Sequence, residues 1–316
     1  MDISRYPFSK EAAELVEEEG YNLEDLAYHP DLLKARERAL RRLFSSIEGK
    51  LDLSIDEVRP MNDVYAFIIS RIIVERIGDK FLRNRFAEHE VKRFLKLSEG
   101  EYLPNLVKLA ERSFKIEVRI LDGNMVAVPY DKYLELARGL GGDKWRLVNR
   151  DIRGGEVIVS EREFRRLLAE AIRMRVLRPS HIQGELPKPL EDMAQVVRNL
   201  LEAKKKSIPK KRRIGKLAPC MSELIRRISD GENIPHAARF ALAAYLLKIG
   251  WDKRKVVDIF RSLPDFKEKI ATYQVEQIAR KGYLPPNCLK LRSIGICVGE
   301  CGVNNPLSYG RRKAKK

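Results

Sequence analysis

The chain has 316 residues, with 62 Lys and Arg against 45 Asp and Glu and an apolar content of 44%. That length allows two domains, each burying its own core. The composition is that of a globular protein, and no apolar run approaches the length of a membrane-spanning helix. The excess of +17 is not spread evenly: residues 1–200 hold 35 basic and 35 acidic side chains, whereas residues 201–316 hold 27 and 10. A merely solvated surface would not segregate charge this way. The second half therefore expects a polyanionic partner, most simply nucleic acid. An anionic membrane is disfavoured, because no lysine-rich amphipathic helix with an aromatic face is present.

Residues 1–55 read as helical with short breaks. Tyr6-Pro7-Phe8 is an extended stretch, Ser9 caps a helix through Val16, and Asp31 to Leu43 carries a helical apolar face. Asn62–Ile77 is apolar nearly all round, which predicts a buried central helix ended by Gly78. Lys80–Leu97 is amphipathic, and His89, between Glu88 and Glu90, is expected on the surface rather than as a ligand.

From Ser113 the period changes to two. Phe114, Ile116, Val118 and Ile120 alternate with polar residues, which predicts a half-buried strand. Asp122-Gly123-Asn124 is a turn, Met125–Val128 a returning strand, and Asp131–Arg138 a short helix. Gly139–Gly142 is a turn rather than a phosphate loop, since the Gly-Lys-Ser/Thr ending is missing. Trp145–Val148 and Val157–Val159 are further strand candidates around Gly154-Gly155. Ser160 and Glu163 form a capping box for a helix over Glu161–Leu177. No close Asp-x-Asp pair of the kind a two-metal polymerase site needs occurs in residues 1–200.

A helix around Leu190–Ala203 closes a first domain, residues 1–203, whose α/β insert spans about 113–177. Residues 204–217, from Lys204-Lys205-Lys206 through Lys210-Lys211-Arg212-Arg213, read as a self-repelling basic linker that also supplies a salt-sensitive grip on phosphates. Residues 218–316 form the second domain with its basic tail. Helices are expected from Cys220 to about Ser229, after Pro235, after Asp252, and over Phe266–Arg280. His236 and Arg239 are three apart in the first turn after Pro235, so they share a face at a helix end that favours anions.

All four cysteines, Cys220, Cys288, Cys297 and Cys301, lie in this domain, each beside prolines or glycines that make tight turns. No apolar signal segment is present at the N-terminus, which predicts a cytoplasmic protein, where disulfides rarely persist. The four thiols are therefore read as metal ligands. Only Cys297 and Cys301 form a tight pair, and compact ferredoxin spacing is absent, so zinc and an iron–sulfur cluster stand level on spacing.

The string Cys220, Pro235-His236-Ala237-Ala238-Arg239, Leu246-Leu247-Lys248-Ile249-Gly250, Cys288, Cys297-x-x-x-Cys301 and Asn305-Pro306-Leu307-Ser308-Tyr309 resembles the C-terminal domain of the large subunit of archaeal and eukaryotic DNA primase. Tyr6-Pro7-Phe8 and the largely helical first domain extend the resemblance. Ala237-Ala238 replaces a Gly pair common in eukaryotic members, and Asn305 stands where those members often have His. The resemblance implies a [4Fe–4S] cluster on the four cysteines. It implies contact of His236, Arg239 and Lys248 with template and with the 5′-phosphates of the primer. It further implies a non-catalytic regulatory subunit, in a heterodimer with a catalytic small subunit, acting on DNA template, RNA primer and nucleoside triphosphates. The expected fold is mainly α: a helical N-terminal domain with a small α/β insert and an all-α iron–sulfur C-terminal domain. The alternative is a zinc- or iron–sulfur-containing nucleic-acid-binding or repair protein unrelated to priming.

Overall fold

In the computed structural model, residues 2–180, 184–207 and 217–309 are described. The chain divides into two compact units, Met1–Leu140 with Lys144–Lys204, and Lys205–Lys316 with Gly141–Asp143.

The first unit opens with α1 (Lys10–Glu19), α2 (Leu23–Tyr28), α3 (Leu33–Glu48), α4 (Met61–Ile77), α5 (Lys80–Leu97) and α6 (Leu103–Phe114). Ser9 caps α1 by accepting from the Ala12 amide, and α4 is buried on most sides, as its uniform apolarity predicts. α3 packs on α4 and α5. Tyr6 and Phe8 are buried, their rings meeting Phe94, Phe67 and Phe114. The Tyr-Pro-Phe stretch is thus a plug in the helical core.

His89 is not a surface residue. It is 4% exposed, its Nε2 accepts from the Asp52 amide at 3.3 Å, and its Nδ1 lies 3.2 Å from Glu90. Its flanking glutamates are buried too, because arginines from other helices reach them: Arg173 meets Glu88 at 2.7 Å and Arg42 meets Glu90 at 3.1 Å. Buried acids elsewhere are likewise paired, Asp63 with Arg38 at 2.6 Å and Asp56 with Lys34 at 2.6 Å. The Lys34 ammonium holds the Asp56 carboxyl well below the usual carboxylate range.

The insert is a four-stranded antiparallel sheet of β1 (Arg119–Leu121), β2 (Met125–Pro129), β3 (Asp151–Arg153) and β4 (Glu156–Ser160), in the order β1-β2-β4-β3. α7 (Tyr130–Ala137) follows β2, and α8 (Glu161–Leu177) follows β4 and packs on α5. The expected strand from Phe114 to Ile120 is shorter than its alternation. α6 runs through Phe114 and ends on left-handed Lys115 (φ 56°), so Ile116 and Val118 are buried before pairing begins. Trp145–Val148 is not a strand. Tyr133 Oη donates to the Trp145 carbonyl at 2.9 Å, the segment coils into 3-10 turns, and Val148 is 84% exposed. The edge strand lies instead at 151–153, where Gly154 and Gly155 (φ 56° and 83°) make a two-residue hairpin of the kind that has positive φ at both positions. The Ser160–Glu163 capping box is present in full.

α9 (Lys188–Ser207) extends beyond the helix expected around 190–203. Lys204–Ser207, read as the start of a linker, therefore belong to its last turn, where lysines suit the negative end of the helix dipole. The rest of the predicted linker, 208–216, and the basic tail, 310–316, lie outside the described residues.

Among the described residues, the regular elements of the second unit are all helices: α10 (Pro219–Ser229), α11 (His236–Lys248), α12 (Lys253–Phe260), α13 (Glu268–Lys281) and α14 (Cys288–Ser293). Asp252 caps α12 through the Arg254 amide. Met221, Leu224, Ile228, Leu242 and Leu246 form its core with Val256 and Leu291. α14 has no counterpart among the expected helices; its six residues are too few to show a period.

Candidate metal centre and nucleic-acid interface

Cys220 is the second residue of α10, directly after Pro219, and Cys288 is the first of α14. The sequence shapes both positions locally. Pro219 loses nothing at a position whose amide has no helical partner, and Asn287 caps α14 by accepting from the Lys290 amide at 2.9 Å. After α14, left-handed Gly295 (φ 71°) reverses the chain, and the amides of Ile296 and Cys297 both return to the Leu291 carbonyl at 2.9 and 3.2 Å. The Cys288 amide donates to the Asn304 carbonyl at 3.0 Å, which ties the segment beyond Cys301 to the start of α14.

The four thiols stand within reach of one another's charge. Burial pushes the Cys220 thiol up to about 11, and charge on Cys297, Cys288 and Cys301 acts in the same direction. Burial, then Cys301 and Cys297, raise Cys288, with Arg292 opposing. Cys220 and Cys288 are buried, Cys297 and Cys301 partly open, and all four are free of disulfides. Among the described residues, no three His, Cys, Asp or Glu side chains converge to the spacing of a single ion's ligands. An all-thiolate donor set is chemically suited to soft centres such as zinc or an iron–sulfur cluster, so the donor chemistry fits either group, although the spacing is not that of a single ion's ligands.

Tyr245, unremarked in the sequence, supports this corner. It is buried on α11, and its Oη accepts from the Ala218 amide at 3.1 Å, one residue before Pro219-Cys220. The available signal was a tyrosine inside an otherwise apolar helix, whose hydroxyl requires a partner when buried.

His236 and Arg239 come together on the first turns of α11, where they line a cavity of about 520 Å³ with Phe240, Phe266, Tyr273 and Tyr283. His236 is exposed. Arg239 is held: Nε donates to the Ile234 carbonyl at 3.0 Å, and Nη2 donates to Asn233 Oδ1 at 2.6 Å and to both Asp265 oxygens at 3.0 and 2.9 Å. Lys248 is not brought to this cluster. It is the last residue of α11, exposed, and roughly 18 Å along the helix from His236 at 1.5 Å per residue.

The basic excess is divided. Ten of the 27 Lys and Arg of residues 201–316 fall in 208–216 and 310–316. In the folded part, Arg226, Arg227, Arg239 and Arg261 are paired with acids. All ten acids of residues 201–316 lie outside those two segments, so the segments carry +10 of the net +17 of this half of the sequence. No helix of the described residues is long and apolar enough to cross a membrane.

The chain thus combines a near-neutral helical unit that carries a small sheet with a basic helical unit that carries all four thiols. Comparison with known proteins narrows this description. Residues 4–182 match the family model for the N-terminal domain of the eukaryotic and archaeal DNA primase large subunit, and residues 210–310 match that for its C-terminal domain. The DNA primase large subunit PriL of Methanocella arvoryzae is 33% identical over 330 residues, covering 99% of this chain and 89% of that protein. PriL of Methanococcoides burtonii is 31% identical over 337 residues, covering 98% and 92%. PriL of Methanopyrus kandleri is 53% identical over 104 residues, covering 31% and 26%. The chain belongs to the eukaryotic and archaeal DNA primase large-subunit family, which places it in DNA replication.

Proposed function

We propose that this chain is the non-catalytic subunit of a two-subunit DNA primase, helping a catalytic small subunit to start RNA primers on a DNA template. The near-neutral first unit docks the small subunit. The second unit holds template and the initiating 5′-triphosphate, with His236 and Arg239 as phosphate contacts and Lys248 as a separate backbone contact further along α11. The observation that carries this reading is the coexistence, in one basic helical unit, of the four-thiol corner and the His236–Arg239 turn. Positioning is the mechanism: two nucleotides and a template held together convert an encounter into an intramolecular step.

Cys220, Cys288, Cys297 and Cys301 would hold a [4Fe–4S] cluster, each thiolate on its own iron. When bound, the cluster supplies a cross-link between the two ends of a loop of nearly seventy residues, which stabilises the unit by restricting its unfolded chain. Four free thiols accord with a reducing, cytoplasmic setting.

The test is iron, sulfide and zinc content with an absorption spectrum of anaerobically purified protein. About four irons and sulfides per chain, with a broad band near roughly 400 nm, is the expected result. One zinc and a colourless protein would replace the cluster by a zinc site. Absence of any effect on primer synthesis by the small subunit would overturn the priming role itself.

A further inference from the structure

Asp265 is exposed, stands outside every helix, and was not singled out by any sequence motif, yet it makes the closest charged contact of Arg239. We propose that Asp265 is a positioning residue that fixes the Arg239 guanidinium for a terminal phosphate and makes the site selective for the 5′-triphosphate end. The proposal rests on the reading of Arg239 as a phosphate contact.

Three acceptors from two parts of the unit hold one edge of the guanidinium: the Ile234 carbonyl and Asn233 Oδ1, adjacent in the chain, and the Asp265 carboxylate. Nη1 is the guanidinium nitrogen without a protein acceptor among the described residues. A free arginine side chain loses rotamer entropy on binding, and here that ordering precedes the ligand. Asp265 is itself fixed. It follows buried Ser262 and Leu263 in a turn closed by Leu263 and Phe266 amides, on the Phe260 and Leu263 carbonyls at 2.9 and 3.3 Å. The pair is partly open, with side chains 24% and 36% exposed, so an incoming anion can reach it. Asp265, Arg239 and His236 line the same cavity.

The charge consequence follows from elementary electrostatics. A lone arginine attracts any phosphate at a distance, whereas an Arg–Asp pair presents a dipole whose field falls off faster. Attraction is then confined to a group in direct contact with the remaining N–H groups. Such a pair contributes little to general DNA affinity and more to discrimination between a charge-rich 5′ end and an internal phosphodiester.

The experiment uses the full chain and a template strand annealed to a short RNA carrying either a 5′-triphosphate or a 5′-hydroxyl, with affinity ratios measured at fixed salt. Arg239→Ala should collapse the ratio. Asp265→Ala should lower it about 5-fold or more while leaving 5′-hydroxyl binding equal or tighter, and the double variant should fall no further than Arg239→Ala, since both act through one group. Asp265→Asn, which keeps an acceptor, should give an intermediate ratio and decides the matter if the alanine variant does not fold. A ratio that collapses in Arg239→Ala but is unchanged in the Asp265 variants overturns the positioning role. A ratio unchanged in Arg239→Ala overturns instead the reading of Arg239 beneath it.

Discussion

Arg42 and Glu90 meet at 3.1 Å with side chains only 4% and 1% exposed, at the centre of the helical packing of the first unit. Burial is the largest single influence and would raise the Glu90 carboxyl, but the Arg42 guanidinium, the His89 hydrogen bond and the Arg93 charge together outweigh it, and the carboxylate is held below its usual range. Arg93, buried near Arg42, is pushed down to about 10. The charges of this core are locked to one another.

Removing one partner should therefore be costly. Arg42→Met leaves Glu90 a buried charge without its ion-pair partner, with His89 and Arg93 compensating it in part, and is expected to destabilise the first unit by about 3 kcal/mol. Arg42→Met with Glu90→Leu should recover most of that loss. Denaturant-dependent hydrogen exchange across residues 33–97 measures both, and equal loss in the single and double variants would contradict the pairing.

A second prediction concerns acid. Glu163 lies well below its unfolded value of 4.5, at about 2, chiefly because Arg150 bonds it. A depressed folded-state pKa contributes stability that is present above the unfolded pKa and lost as pH falls from there through the folded value. The wild type should lose stability between about pH 4.5 and pH 2 more steeply than Glu163→Gln. The glutamine variant should be less stable at neutral pH through loss of the Arg150 ion pair, since glutamine can still complete the capping box. Denaturation midpoints at pH 7, 4 and 3 provide the comparison.

Cys→Ser at any of the four cysteines should lower metal content and destabilise residues 218–310, while the first unit keeps its affinity for the small subunit. Metal analysis and hydrogen exchange resolve the two units separately. Full metal content and unchanged protection in all four variants would remove the cysteines from the site.

His236→Ala should reduce initiation on the order of 10-fold, the scale of a lost charge-assisted phosphate contact, and affect extension of a preformed primer far less. Equal losses in the two assays would indicate a packing role.

Deleting 310–316, which holds five basic residues, should flatten the salt dependence of single-strand binding by about 0.7 in slope for each phosphate no longer contacted. The 5′-end preference should be unaltered. An unchanged slope would mean that the tail takes no part.

Much of this architecture could be read directly from the chain. The extent of α5, the uniform apolarity of α4 and the Ser160–Glu163 box are local signals, and each appears where its residues predict, although α5 is buried on most sides rather than amphipathic. The misreadings share a cause. His89 was expected at the surface because its neighbours are glutamates, and only Arg42 and Arg173 from other helices make those positions buried. Trp145–Val148 has strand composition, but the tyrosine that takes its carbonyl lies 12 residues earlier. Asp265 is 26 residues from Arg239. Sequence displays a residue's chain neighbours; pairing across helices is a property of the fold alone.

Cys220 and Cys301 are 81 positions apart, with α10 to α13 entirely encoded before Cys288 appears. At about 5–20 residues per second of synthesis, roughly 4–16 seconds separate the first thiol from the last. Once α10 to α13 have been made, Cys220 belongs to a helical core that lacks only its last contributors, among them Leu291 and Ile296. A buried sulfur that holds its proton is a poor nucleophile and a poor target for oxidants. The helices would thus keep the earliest thiol safe during translation until its three companions arrive.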